Sequence, residues 1–330
     1  MFIQPGKLNI IIDGQFGSTG KGAISSYIGC KEHVDIAITN SSPNAGHTFY
    51  RDNRKYVTRH LPVSAIFNKR SVIYLCAGAI IDPDILIKEI DTFDITGDRL
   101  YVHPRATVIS KEDVEFEKVG AVKKIASTMK GVGSALSRKI NRESKLAKDH
   151  PFLKDYCNEL HLQYLLDQDA CMVMEVPQGF DLSINSGLSY PHCTSREITV
   201  SQALSDAQIH PSYLGNVMSC IRTFPIRVGN IVENGVEVGY SGPFYDDSVE
   251  LSWKDIKVPE EYTTNTNRIR RVATFSMKQY ERMMDSFRPT HVFLNFANYL
   301  PKRKLNKLIK DLKHVTHLGF GPSLDDIIEI

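Results

Sequence analysis

Apolar residues fall in short blocks along this chain, and the blocks alternate with stretches of helical periodicity. Leu8–Asp13 (LNIIID) is an apolar run of strand length, and the glycine-rich residues 14–22 (GQFGSTGKG) lead from it into a helical segment over residues 23–30. The pattern predicts a strand, a loop and a helix in succession. Further apolar runs at residues 34–39, 71–81, 170–176 and 291–296 alternate with amphipathic stretches at 113–127 and 152–167. Such alternation predicts an α/β fold around a mainly parallel sheet. No internal repeat, low-complexity tract or long Gly/Ser linker interrupts it, so a single domain over residues 1–330 is expected.

Near the C-terminus the periodic pattern carries a basic stripe. Lys302, Arg303, Lys304, Lys307, Lys310 and Lys313 are interleaved with Leu305, Leu308, Ile309 and Leu312. That is the pattern of a solvated helix face, and no nucleic-acid partner is expected from it. The whole-chain balance agrees, because 40 Lys and Arg against 38 Asp and Glu leave +2 and no general pull towards a polyanion or an anionic membrane. Any phosphate site must therefore be local. The apolar runs fall short of the roughly 20 residues a membrane helix needs, and no leader-like segment precedes the first strand. The six cysteines (Cys30, Cys76, Cys157, Cys171, Cys193, Cys220) are scattered without a C-x-x-C pair, which argues against structural zinc and a disulfide framework. A soluble, cytoplasmic protein is expected.

Two polar loops carry candidate chemistry. A glycine-rich turn between a strand and a helix converges backbone N–H groups on phosphate oxygens, and Lys21 adds a full positive charge. The loop departs from the ordinary P-loop, since Gln15 stands where its first glycine belongs and Gly22 replaces the Ser or Thr that binds magnesium. Its spacing also fails the dinucleotide fingerprint. The second loop, Asn44-Ala45-Gly46-His47-Thr48, follows the next strand and offers a histidine able to exchange protons near neutral pH.

QFGSTGKG followed by NAGHT at this separation resembles the adenylosuccinate synthetase family, and the resemblance continues through most of the chain. Residues 127–142 (STMKGVGSALSRKINR) look like the segment that binds the purine monophosphate, with Ser127 and Thr128 at paired threonine positions. Arg142 matches the arginine that crosses into the partner subunit's site, which implies a homodimer. Residues 175–181 (EVPQGFD) place Gln178 beside the base, residues 190–195 (YPHCTS) place Thr194 near the phosphate, and Arg227-Val228-Gly229 resembles the sugar-contacting turn with Val228 at its centre. Asn44 belongs to the same monophosphate site. Residues 264–271 (TNTNRIRR) resemble the loop that clamps aspartate, so Thr266, Arg268 and Arg270 inherit contacts to its carboxylates, a task that suits the planar arginine fork. Gly17, Thr19, Gly20, Lys21 and Gly22 would hold the triphosphate, and Gly321-Pro322 would lie under its base.

The resemblance implies a nucleotide-binding α/β fold and a two-step carbon–nitrogen ligation. The terminal phosphoryl group of a triphosphate moves to the 6-oxo oxygen of a purine monophosphate, and the aspartate amine then displaces it. Phosphate is a good leaving group where an amide-like oxygen is not, and magnesium, Lys21 and the loop N–H groups would stabilise the transferring charge. His47 would assist at the oxygen, and Gly46 would offer its carbonyl to the magnesium ion. The catalytic set expected is Ser18, Lys21, His47 and Gln178.

Two departures change the expected substrates. The family's loop usually reads GDEGKG, and its aspartate, which takes the ring proton of inosine monophosphate, is Ser18 here. A small neutral serine leaves room for the 2-amino group of guanine and can accept a hydrogen bond from it. This matches the bacteriophage branch of the family, which converts dGMP to 2-amino-2'-deoxyadenylosuccinate for 2-aminoadenine nucleotides. Where the family reads guanine of GTP with K-x-D, this chain has Asn295-Phe296-Ala297-Asn298, so ATP or dATP is expected near Asn295 and Asn298. Asp13, at the end of the first strand, reads as a structural acceptor and stays outside the catalytic set. A compact synthetase acting on inosine monophosphate and a non-catalytic nucleotide-binding regulator remain as alternatives. The sequence leaves open ribose against deoxyribose, ATP against dATP, and what removes the ring proton.

Overall fold

The computed structural model describes residues 1–330 other than Asn53, Asn265 and the side chain of Ala121. Its main sheet has nine strands: β1 (Leu8–Asp13), β2 (Ile36–Thr39), β3 (Val72–Leu75), β4 (Leu100–Val102), β5 (Met172–Glu175), β6 (Leu214–Arg222), β7 (His291–Asn295), β8 (His317–Gly319) and β9 (Ile327–Glu329). They lie in the order β9-β8-β7-β6-β1-β5-β2-β3-β4. Every neighbouring pair is parallel except β8 with β9, as the alternating sequence pattern predicts.

Strand β1 is buried along its full length because both faces of the sheet are covered. Leu8, Ile10 and Ile12 enter one core cluster and Ile11 the other. Around β1 the chain order turns, with β5 on one side and β6 on the other. In an open parallel sheet the crevice at such a switch point, outside the carboxyl ends of the strands, is where ligands bind. The ends of β1, β5, β6 and β7 carry Asp13, Glu175, Arg222 and Asn295.

Five helices matter for the site: α1 (Lys21–Lys31), α2 (Lys111–Val119), α3 (Val132–Ile140), α4 (Met277–Phe287) and α5 (Lys302–Leu312). The expected helix at 23–30 is α1. It lies tight against its neighbours, since a Cβ on Gly29 would come within 2.2 Å of the Ser64 carbonyl oxygen. The amphipathic stretch at 113–127 breaks at Gly120, which is extended at φ −84°, ψ 176°, and resumes as a short 3-10 turn. The stretch at 152–167 is also divided, because Cys157 and Asn158 pair with β4 at Val102 between two short helical turns. The apolar run at 71–81 is β3 followed by a turn and a separate two-residue strand, Ile80–Ile81. On α5, Leu305 and Leu312 are buried while the basic residues at 302–304, 307 and 310 face solvent.

Candidate active site

Asp13 organises the first loop. Fully buried at the end of β1, its carboxylate accepts from the N–H groups of Gln15 (2.9 Å), Gly17 (3.2 Å) and Thr19 (3.3 Å) and from the Thr19 hydroxyl (2.5 Å). Burial holds the Asp13 carboxyl above its ordinary value, opposed by these donors and by Lys21. The wrapped loop needs left-handed backbone at Gly17 (φ 90°), Ser18 (φ 56°) and Gly20 (φ 84°). The N–H groups of Ser18, Gly20, Lys21 and Gly22 find no acceptor among the described residues, so they stand free at the start of α1. Free N–H groups at a helix N-terminus form a site for phosphate.

Gln15 does not crowd the loop. Its amide exchanges hydrogen bonds with the backbone of Arg222, accepting from the N–H at 2.9 Å and donating to the carbonyl at 3.3 Å. Asn295 lies beneath the loop and donates to the Thr19 carbonyl at 2.7 Å. Gly22 is explained by packing, because a Cβ there would sit 2.4 Å from the Thr48 carbonyl oxygen. The Ser or Thr of an ordinary P-loop does not fit.

Three charged or titratable side chains meet above this floor. Lys21 Nζ lies 2.8 Å from His47 Nε2, and His47 Nδ1 lies 3.6 Å from Glu175 Oε2. The other Glu175 oxygen accepts from Ser64 N–H and Oγ–H, both at 2.8 Å. Burial holds Lys21 below its ordinary value, opposed by Glu175 and Asp13. Burial and then Lys21 push His47 down, opposed by Glu175. Glu175 is lowered overall, as His47 and Lys21 outweigh its burial. An ammonium only donates, so His47 Nε2 is the acceptor and its proton sits on Nδ1, facing Glu175.

Gln178 (φ 69°), three residues after Glu175, and Thr194 each bury a polar atom, Nε2 and Oγ1, with no partner among the described residues. Orphaned polar atoms of this kind mark a place for a polar ligand. The Ser18 side chain is exposed and its hydroxyl makes no hydrogen bond among the described residues. Asn44 is half-buried and accepts from Ser42 Oγ at 2.7 Å.

The second half of the site is a hairpin-like segment, residues 261–270. Thr263 and Thr266 hydroxyls lie 2.6 Å apart, and Arg268 donates to Thr266 Oγ1 (3.0 Å) and to the carbonyls of Ala126 (2.9 Å) and Ser127 (3.3 Å). Arg268 thus ties this segment to Ala126 and Ser127, next to Thr128 in sequence, and its Nη1 stays buried without a partner among the described residues. Val228 belongs to a turn pressed on the same segment, since a Cβ on Gly229 would meet the Ile269 carbonyl oxygen at 2.1 Å. Gly46 abuts it too, with Thr264 Cγ2 3.3 Å from where its Cβ would stand. Arg271 is occupied elsewhere by a bidentate pair with Glu250 (2.7 and 2.6 Å). Asn298 and Pro322 are exposed in the loops after β7 and β8, with Gly321 half-buried. Arg142 lies apart from these groups, exposed and donating to the Ile140 carbonyl at 3.2 Å.

Similarity to known proteins identifies the family of the chain. The sequence pattern of the adenylosuccinate synthetase family matches residues 10–151. The N6-succino-2-amino-2'-deoxyadenylate synthase of Salmonella phage PMBT28 is 33% identical over 97% of both chains. The chain belongs to the adenylosuccinate synthetase family. The adenylosuccinate synthetase of Archaeoglobus fulgidus is 30% identical, again over 97% of both chains. Among solved structures, the cyanophage S-2L succinoaminodeoxyadenylate synthetase bound to dGMP and dATP superposes with a TM-score of 0.89 at 34% identity, covering 98% of this chain and 95% of that one. Members of this family are carbon–nitrogen ligases.

Two residues of this family site escaped the sequence reading. Glu175 closes β5 inside the EVPQGFD segment, and an acidic residue ending a buried apolar strand was the available signal. Arg222 ends β6, a strand that the apolar pattern does not reveal. The close fit at Gly22 yields a test. Gly22→Ser recreates the ordinary P-loop ending, yet overpacking should cost about 1–3 kcal/mol of stability. Urea unfolding checks it, and an unchanged midpoint would show that the α1 contact is looser than described.

Proposed function

We propose that this chain joins L-aspartate to the 6-position of dGMP, consuming ATP or dATP and yielding 2-amino-2'-deoxyadenylosuccinate, ADP or dADP, and phosphate. Ser18 carries the reading: at the loop position where the family's aspartate stands, it has an exposed, uncommitted hydroxyl instead of a carboxylate. A guanine 2-amino group needs an acceptor and space there, and a neutral serine supplies both. The activities for which the phage relatives are named, and the dGMP and dATP of the cyanophage structure, support the same substrates.

In the first step the purine O6 attacks the terminal phosphorus, the nucleoside diphosphate leaves and the N1 proton is lost. Lys21 and the N–H groups of Ser18, Gly20, Lys21 and Gly22 stabilise charge on the transferring group. His47, neutral and with its bare Nε2 beside the Lys21 ammonium, assists at O6. In the second step the aspartate amine attacks C6, its proton is lost and phosphate departs. Thr266, Arg268 and Arg270 hold the aspartate carboxylates. Gln178 and Thr194 satisfy their orphaned atoms on base and phosphate, and Asn44, Ser127, Thr128 and Val228 complete the monophosphate pocket. Gly17 and Thr19 shape the triphosphate cradle, Asn295 supports it from below, and Asn298, Gly321 and Pro322 flank the base.

The residues fit magnesium held mainly by phosphates and water, because no cluster of three His, Cys, Asp or Glu side chains exists among the described residues. Asp13 is committed to the loop, and the family resemblance implies the Gly46 carbonyl as a protein ligand; the ion would neutralise phosphate charge. As one domain, the chain would work in the cytoplasm of a phage host. No helix among the described residues is long and apolar enough to cross a membrane, and the cysteines are free. A homodimer in which Arg142 reaches the partner's site is supported by the exposure of Arg142 and of Phe116, Val119 and Ile140 on α2 and α3.

Phosphate release from ATP and aspartate with dGMP, GMP or inosine monophosphate as acceptor, with product mass, tests the activity. Turnover with dGMP is expected; ready use of inosine monophosphate with dGMP ignored would overturn it. Mixing inactive Lys21→Ala with inactive Arg142→Ala tests the shared site. Random exchange should restore about a quarter of wild-type activity through heterodimers with one intact site. No restoration would place Arg142 outside the partner's site.

A further inference from the structure

We infer that the buried Arg222–Glu261 pair is a positioning strut that fixes the 261–270 hairpin against the Ser18 turn and so couples purine binding to aspartate capture. Arg222 is fully buried at the carboxyl end of β6. Its Nη1 donates to the Ser18 carbonyl at 3.0 Å and to Glu261 Oε2 at 3.1 Å, while Nη2 donates to Glu261 Oε1 at 2.5 Å. One guanidinium therefore grips the turn that presents Ser18 and the first residue of the hairpin. The Glu261 carbonyl accepts from Arg270 N–H at 2.8 Å, and Thr263 N–H donates to the Arg268 carbonyl at 2.9 Å. The stem that Arg222 holds is the stem that aims Arg268 and Arg270.

A third segment joins the pair. The Arg222 guanidinium lies 3.8 Å from the centroid of the Phe296 ring, and Tyr299 OH donates to Glu261 Oε1 at 3.2 Å. Both aromatics belong to the turn after β7, next to Asn295 beneath the loop. Stacking sets the plane of the guanidinium and the bidentate carboxylate sets its rotation, which a lysine could not reproduce. Burial alone would raise the Glu261 carboxyl, yet Arg222 brings it below its ordinary value, so the pair stays ionised. A buried ion pair is weak as a source of stability. Its use here is geometric, because its two ends lie on different substrate subsites.

The inference rests on Thr266, Arg268 and Arg270 being the aspartate clamp, and the experiment separates the two. In Glu261→Gln the aspartate KM should rise about tenfold, and the change in that KM between low and saturating dGMP should vanish, while the dGMP KM stays within about twofold. Tyr299→Phe, a milder change at the same carboxylate, should raise the aspartate KM by about two- to threefold, which keeps the test open if Glu261→Gln folds poorly. Equal losses in both KM values together with a lowered Tm, or an unchanged aspartate KM in both variants, would overturn the strut. Arg270→Ala is the control: an unchanged aspartate KM there would remove the clamp assignment and the strut with it.

Discussion

A lysine ammonium buried at the carboxyl edge of the sheet is the constraint on which the rest of this structure depends. Lys21 is 6% exposed, and a cation out of water must be compensated nearby. The compensation comes from Glu175 and Asp13, the last residues of the adjacent strands β5 and β1. Parallel pairing of these strands is therefore also what places two carboxylates within reach of one ammonium. His47 sits between Lys21 and Glu175, and its tautomer follows from their charges.

The same edge explains why the family's site is assembled from segments far apart in sequence. The phosphate loop, Glu175 with the Gln178 turn, Arg222 and Asn295 each end a strand of the sheet or directly follow one, so the rigid sheet sets their spacing while the loops supply the chemistry. Contacts that tolerate no side chain make the loops precise. Gly22 lies against Thr48, Gly179 lies with its Cβ position 2.2 Å from the Gly17 nitrogen, and Gly229 lies against Ile269. These glycines bring the phosphate loop, the histidine hairpin, the Gln178 turn and the arginine segment into one crevice.

Much of this was legible in the sequence. The short apolar runs gave β1, β2, β5 and β7, and the two motif loops gave Lys21 and His47. Strand β6, the longest, was not visible because Gly215, Asn216, Ser219 and Arg222 interrupt its apolar residues. Those polar groups are accommodated by tertiary partners, such as Asn9 Oδ1 for the Asn216 N–H and the Gln15 amide for the Arg222 backbone. No local pattern reports such pairings. Glu175 and Glu261 take their roles from an ammonium at the start of α1 and a guanidinium at the end of β6, partners that no local pattern reports. The reading of Asp13 as a structural acceptor agrees with the four donors it holds. The divided amphipathic stretches show the converse: helical periodicity at 152–167 yields to pairing with β4 at Val102.

The central claim is that the buried ammonium and carboxylate fix His47 as a neutral imidazole with its proton on Nδ1. Nitrogen NMR of the His47 ring, in protein labelled at histidine, reads this directly. At about pH 6, where an ordinary imidazole is largely protonated, the account predicts a neutral ring with Nε2 bare and Nδ1 carrying the proton. In Glu175→Gln the proton should stay on Nδ1, because the Lys21 ammonium still donates to Nε2. A His47 that titrates near its ordinary value, or that carries its proton on Nε2 in the unmodified protein, would contradict the account.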